Sequence, residues 1–515
     1  MRFVVLMIPV IDLFAGPGGL NEGFSSVQYQ NGNPVFRTVA SFEMETNACE
    51  TLVLRTALRI MHRDGAFPKV YYQLLQGLIQ WDDFVSRPSV SDALASARKE
   101  VHQIELGPKT RRRSDDLIQR SLAPHLADGR APWVLIGGPP CQAYSVAGRS
   151  RRTNDVNFAK DKKHFLFREY LRILTKFQPA IFVMENVTGL LSSTHGGSRI
   201  FDWILRDLAA PESGPGYEIR SLVVPGTADD LKPEDFVIRA EQFGVPQKRH
   251  RVILLGVRRD LAPDIPHTVL ATTDEVSLRS AIGDLPRLRS GISPKREDDW
   301  DSWAGLREEA HGLAAQELGS TRTLGGPFPK GSSFMSEYAV PEPTAPYQRW
   351  ILDAKIAGVT LHETRAHMDR DLLRYGFLAR VAEVRKRSYS LGELPEELAP
   401  AHKNAGRSDP PFKDRFRVQL WDAPATTIVS HISKDGHYYI HPDSAQMRSL
   451  TVREAARLQS FPDNYFFVGS RTSQYHQVGN AVPPLLAAQI ATNVARALGV
   501  GISASGLSIS LPGPE

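Results

Sequence analysis

Five short apolar runs, bounded by glycine, proline or charged side chains, constrain this chain more than any other feature. They are Val4–Phe14, Phe36–Phe42, Trp133–Ile136, Ala180–Met184 and Arg251–Val257. The first leads into Gly16-Pro17-Gly18-Gly19 and the second stops at Glu43. The third ends in Gly137-Gly138-Pro139-Pro140-Cys141, the fourth in Glu185-Asn186-Val187. Short runs that are apolar throughout, with helix-like stretches between them, fit strands buried on both faces of a mostly parallel sheet. In such sheets ligands bind beyond the carboxyl ends of the strands, where these polar residues fall. The expectation is an α/β fold, a doubly wound sheet with its functional site along one edge.

Two stretches break the alternation. Residues 60–130 read as a helical, polar, basic insertion containing Arg111-Arg112-Arg113. Residues 265–445 are rich in proline and poorly periodic, and read as a separate, smaller, loop-rich module. Helical patterning returns over 446–500, with a final helix expected at Ala487–Leu498. This leaves 1–264 as the sheet domain and 501–515, rich in Gly, Ser and Pro, as a flexible tail.

Composition narrows the classes. Apolar residues make up 42% and charged residues 23% of 515, which excludes wholesale disorder and collagen-like repeats. Lys plus Arg number 62 against 57 Asp plus Glu, a net charge of +5 that permits a nucleic-acid partner without demanding one. The only cysteines are Cys49 and Cys141, which excludes a disulfide framework and a thiolate-built zinc site and suits a reducing, intracellular setting. The apolar start lacks a clustered basic region and is interrupted by Asp12, so a buried strand is expected there and not a secretory leader. No apolar run reaches the ~20 residues needed to span a bilayer.

Several motifs carry chemistry. Glycines 16, 18 and 19 let the backbone approach a ligand closely, although a plain strand-to-helix turn would look the same. No Gly-Lys-Ser/Thr follows, so the turn is not a P-loop. Glu43 ends the second run, where doubly wound sites place a carboxylate on ribose hydroxyls; an exposed strand-end acid is the plain alternative. Cys141 sits in a rigid turn after two prolines, which favours a nucleophile over a packing thiol. Cys49, inside an expected helix, reads as packing. The basic loop beyond Cys141, with Ser145, Arg149, Arg151 and Arg152, could close over an anion or simply be solvated. Glu185 ends an apolar strand, where a carboxyl can share a proton with a substrate or pair with an arginine. Arg249 and Arg251, two apart at the mouth of the fifth run, are expected on one side of a strand.

Taken in order, these motifs resemble the DNA cytosine-5 methyltransferase family. Residues 11–20 resemble its first motif and Gly138–Gln142 its Pro-Cys motif. Glu185-Asn186-Val187 matches Glu-Asn-Val, and Gln247–Arg251 matches Gln-x-Arg-x-Arg. Arg453-Glu454-Ala455-Ala456-Arg457-Leu458-Gln459-Ser460-Phe461-Pro462 and Gln477–Pro484 match the last two. Six motifs in the family's order, over residues 11–484, hardly arise by chance. The resemblance implies a Rossmann-like methyltransferase sheet domain with a smaller target-recognition domain. It implies S-adenosyl-L-methionine as cofactor, held by Phe14, Ala15, Gly16, Pro17, Gly18, Gly19, Leu20, Glu43, Met44, Pro140, Asn480, Ala481 and Val482. It implies Cys141 as nucleophile, Glu185 and Arg251 on the cytosine, and Arg249 bracing the thiolate. Duplex DNA would be the partner, contacted by Gln142, Ser145, Arg149, Arg417, Thr426 and Thr427. Two departures stand out: the family's adenine-contacting Asp has no counterpart assigned within 60–130, and Met44 replaces a frequent aromatic.

The resemblance further implies a monomeric enzyme of the prokaryotic cytoplasm, associated with the nucleoid. It would act beside a cognate restriction endonuclease that shares the target site without touching it, or as an orphan methylase. Two other classes compete. An RNA cytosine-5 methyltransferase would share the catalytic set but does not need so large a middle module. A binding protein of the same fold would not need Cys141, Glu185 and Arg251 intact. A metal centre is not expected. His362 and His367 evoke a zinc-protease motif, but residues five apart lie ~140° apart around a helix and cannot share one ion.

Overall fold

The computed structural model describes residues 7–62, 67–126, 131–140, 164–195, 198–211, 214–293, 297–400 and 414–500. Its centre is an eight-stranded sheet. The strands are β1 (Ile8–Leu13), β2 (Phe36–Glu43), β3 (Val101–Gln103), β4 (Val134–Gly137), β5 (Ile181–Val187), β6 (Tyr217–Arg220), β7 (Val237–Arg239) and β8 (His250–Arg258). Their order is β3-β2-β1-β4-β5-β8-β6, with β7 also on β8. β1 to β5 are parallel, whereas β8 runs antiparallel to β5. This reversal brings the start of β8 to the carboxyl edge of the other strands, with Arg251 opposite Val187.

Both faces are covered, which is why the central strands are mostly apolar. One face, carrying Ile8 and Val10, packs on α1 (Gly19–Ser25) and on the last helix, Pro484–Ala497. The crossing is close: a Cβ on Gly23 would lie 2.4 Å from that of Ala487. The other face, carrying Ile11 and Leu13, packs on the helices His164–Phe177 and Ile200–Ala209. The final helix thus returns the C-terminus to the first strand's layer.

The two irregular stretches each hold elements that the local pattern did not show. The 60–130 stretch is not helical throughout: β3 lies inside it and pairs with β2 as the sheet's edge. Three residues with a His and a Gln carry too little pattern to show as a strand. The helices Lys69–Leu75, Trp81–Val85 and Pro88–Ala97 of this stretch pack on α2 (Thr46–Met61) and reach the middle module, where Tyr72 Oη donates to Asp353 at 2.9 Å.

More than half of the middle module's described residues lie outside helices and strands, but it is not without regular structure. Its core is built on two long helices, α3 (Trp300–Leu318) and α4 (Asp369–Arg385). Their periodicity is masked because polar residues sit inside. Arg307 and His311 share the buried face of α3, and Asp371 and Arg374 form an ion pair buried in α4. His362 and His367 lie on the short strands Val359–Glu363 and Ala366–His367, not on a helix. His362 is fully buried, its ring nitrogens bonded to Thr451 and the Pro286 carbonyl.

Candidate active site

The turn after β1 is the first wall of the site. Phe14 and Gly16 both have φ of 57°, and Gly18 has 97°. At Gly19 a Cβ would stand 2.1 Å from the Val482 carbonyl oxygen. Only glycine lets the turn touch the segment Ala481–Val482, so N- and C-terminal motifs meet here. Over Gly16 the space is open, with no heavy atom within 4 Å of a Cβ position. Phe14 and Ala15 are half-buried beside it; Pro17 and Leu20 are buried.

Glu43, at the end of β2, already holds three backbone N–H groups. Its Oε2 accepts from Gly16 at 2.8 Å, its Oε1 from Met44 at 2.9 Å and Glu45 at 2.7 Å. A carboxylate has about four acceptor positions, so about one is left. Burial raises the Glu43 pKa and the N–H bonds pull it back. Met44 beside it is 59% exposed at the rim.

Glu185 and Arg251 form the second wall. Arg251 Nε lies 2.9 Å from Glu185 Oε1, and the two side chains keep 14% and 15% exposure. A Cβ on Gly138 would lie 2.9 Å from Glu185 Oε2, so glycine makes room for the carboxylate. Asn186 donates to the Pro139 carbonyl at 3.3 Å, tying the Pro139-Pro140 turn to β5. Pro140 is half-buried at its end. Cys141, Gln142, Ser145 and Arg149 lie outside the described residues. Cys49 lies in α2, where burial, then Glu50 and Glu43, push its thiol up to about 11.

Arg249 and Arg251 share no hydrogen-bond or ion-pair partner, although the charge of Arg251 acts on Arg249. Arg249 falls between the two-residue strand Gln247–Lys248 and β8, and is 3% exposed. Its guanidinium donates to the carbonyls of Ile428, at 2.8 Å, and Gly479, at 3.3 Å.

Gln247–Lys248 pairs with Ala425–Thr426 of the middle module. Thr426 is bonded to Gln419, and Thr427 Oγ1 donates to the Lys248 carbonyl at 2.5 Å. Both threonines are therefore brought to the catalytic edge. Arg417 is paired with Asp414 at 2.9 Å. Asn480, at the end of the helix Arg471–Asn480, is exposed and bonded to His476.

Two residues near the site carry signals that the sequence hid. Asp12 is fully buried in β1 with no hydrogen-bond partner on either oxygen, and burial raises its pKa well above the usual carboxylate range. Gln103 ends β3 directly opposite Glu43 and donates to Thr46 Oγ1 at 2.8 Å. Only the pairing of β3 with β2 reveals that neighbour.

The segment Arg453–Pro462 has a different character. Arg457 is fully buried, donating to Asp463 at 2.9 and 2.8 Å and to Asp284 at 2.7 Å. Arg453, also fully buried, bonds the Thr360 carbonyl at 3.1 Å. Glu454 pairs with Arg448 at 2.7 Å and caps its own helix through Thr451. Gln459 accepts from Gln247 and donates to the Ala481 carbonyl. The segment ties sheet domain, middle module and C-terminal turn together.

Comparison with known proteins gives the chain a family. The model of the C-5 cytosine-specific DNA methylase family matches residues 127–496. Type II methyltransferase M.Bpa9945I of Bacillus paralicheniformis is 35% identical over 500 residues, covering 94% of this chain and 98% of that protein. The DNA (cytosine-5-)-methyltransferase M.ApeKI of Aeropyrum pernix is 26% identical over 409 residues, covering 71% and 81%. In fold, the chain is similar to a prophage-encoded E. coli protein whose crystal structure carries the assignment of a DNA modification methyltransferase. The TM-score is 0.50 at 18% identity, over 96% of this chain and 99% of that one.

Proposed function

The chain belongs to the C-5 cytosine-specific DNA methylase family, a DNA (cytosine-5-)-methyltransferase, and from that premise we propose how it works. It methylates carbon 5 of a cytosine flipped out of a specific duplex sequence, through a covalent adduct on Cys141. The observation that carries this reading is the Glu185–Arg251 pair, 2.9 Å apart beside the Gly138–Pro140 turn that leads straight into Cys141.

S-adenosyl-L-methionine, when bound, supplies a methyl group carried on a sulfonium. The residues present fit such a group: open space stands over Gly16, Glu43 keeps an acceptor position, and Met44 offers an exposed apolar side chain at the rim. Gln103, at the edge beside Glu43, takes the adenine end. Asn480, Ala481 and Val482 close the pocket from the C-terminal side.

Cytosine carbon 5 is a poor nucleophile, so the Cys141 thiolate adds to carbon 6, forming an S–C bond and moving electron density to carbon 5. Glu185 holds ring nitrogen 3 and the exocyclic amine as charge builds, and Arg251 holds both Glu185 and the carbonyl oxygen. Once carbon 5 carries the methyl, its proton leaves to water, the C–S bond breaks and the thiolate returns. The middle module reads the sequence, with Arg417, Thr426 and Thr427 toward the DNA and Gln142, Ser145 and Arg149 in the loop beyond Cys141. No helix among the described residues is long and apolar enough to cross a membrane. The enzyme serves as a monomer in the prokaryotic cytoplasm near the nucleoid, either with a cognate restriction endonuclease or as an orphan.

Tritiated methyl transfer to duplex DNA and to transfer RNA, followed by bisulfite sequencing, tests the reading. Wild type and Cys49→Ser are expected to label one DNA sequence, and Cys141→Ser none while still binding cofactor. Full activity in Cys141→Ser, or labelling of transfer RNA alone, would sink it.

A further inference from the structure

Arg249 is a buried cation without a carboxylate at ion-pair distance among the described residues. Its guanidinium instead joins two carbonyls from distant parts of the chain, Ile428 and Gly479. Burial, with the charge of Arg251 beside it, pushes its pKa down to about 9, which still leaves it charged near neutrality. The two segments it joins are in direct contact. A Cβ on Gly479 would stand 2.3 Å from both the Val429 carbonyl carbon and the Ser430 nitrogen. Beyond Gly479 the chain runs to Val482, whose carbonyl abuts Gly19 in the turn after β1. On the other side, Val429 is exposed at the catalytic edge, next to Thr427. A continuous path of packed backbone therefore leads from 426–430 through Arg249 and Gly479 to the glycine turn.

We propose that Arg249 is a positioning residue that couples DNA occupancy of residues 425–431 to cofactor binding at the turn 479–482. The inference rests on the function proposed above. A single buried nitrogen, Nη1, bonds both segments, so any shift of one costs the bond to the other and the two ligands bias one arrangement. Such coupling is reciprocal: DNA tightens cofactor binding by the factor by which cofactor tightens DNA binding.

The test is the dissociation constant of S-adenosylhomocysteine by calorimetry, alone and with a saturating duplex carrying a sequence that wild type methylates. DNA is expected to tighten wild-type binding roughly 5- to 150-fold, the usual span of such couplings. Arg249→Met, similar in length but without donors, is expected to bring the ratio to within about twofold of one. Arg249→Lys, which keeps a cation but not the planar guanidinium that places Nη1, should fall between. A merely structural role would lower the melting temperature of both variants and leave the ratio alone. A wild-type ratio near one, or a wild-type ratio in folded Arg249→Met, overturns the proposal. Should Arg249→Met fail to fold, an unchanged ratio in Arg249→Lys overturns it. Absence of methylation of any duplex by wild type would instead defeat the proposed function.

Discussion

The carboxyl edge of the sheet and the segment Thr451–Asp463 both present arginine–carboxylate pairs in recognisable motifs, and they differ in what surrounds the charges. At the edge, Glu185 and Arg251 meet each other and keep about a seventh of their surface open. In the segment, Arg457 and Arg453 are fully enclosed and their N–H groups run to protein acceptors. A charge with capacity to spare can meet a substrate. A charge whose bonds are all used inside the fold can only hold the fold. Both regions look equally functional as letters, and burial separates them.

The sharpest way to break this contrast is to neutralise one member of each region. Glu185→Gln is expected to lower methyl transfer by roughly 10²–10⁴-fold, the usual weight of a positioned acid–base group, with the urea midpoint unchanged. A Glu185→Gln protein that unfolds readily instead would make the edge pair structural, like its buried counterpart.

Arg457→Met should do the reverse. Removing one partner of a buried pair leaves Asp463 and part of Asp284 uncompensated, at a cost of about 3–5 kcal/mol. Equilibrium denaturation reads this directly; a stable, fully folded but inactive Arg457→Met would move that residue to the catalytic side of the comparison.

A smaller, graded effect is expected from acid. Glu22, in α1, is buried, which alone would raise its pKa, but Arg55 and Arg59 hold it down to about 2. Its folded pKa lies below the ordinary 4.5, so its contribution is complete above about pH 4.5 and is lost as pH falls toward 2. Comparing acid unfolding of wild type and Glu22→Gln checks this: the variant should already be weaker at neutral pH and flatter over that window. Equal slopes would mean the cluster does not stabilise the interior.

The mildest change is expected at Glu43, which stands between the two types. Three of its acceptor positions serve the backbone, so Glu43→Ala loosens the glycine turn and also loses a charge-assisted bond of ~1.5–3 kcal/mol. Cofactor affinity by calorimetry should fall roughly ten- to a hundredfold. An unchanged dissociation constant would leave Glu43 as a purely internal brace.

The sequence determined the frame by itself. Strands buried on both faces must be apolar along their length, so β1, β2, β4, β5 and β8 were visible as runs. The glycines after β1 and the prolines before Cys141 stood at the run ends because only those residue types tolerate such turns. What the sequence could not show depended on partners far along the chain. The direction of β8, which delivers Arg251 to Glu185, is a matter of pairing and leaves no mark in the run itself. The three-residue β3, the buried-polar helices α3 and α4, and the different partners of Arg249 and Arg251 all follow from neighbours that no local pattern encodes. Local residue types fixed where the backbone could turn and which strands were buried. Tertiary structure alone decided which charges were enclosed and which were left open at the edge, because burial is a property of the whole packed chain.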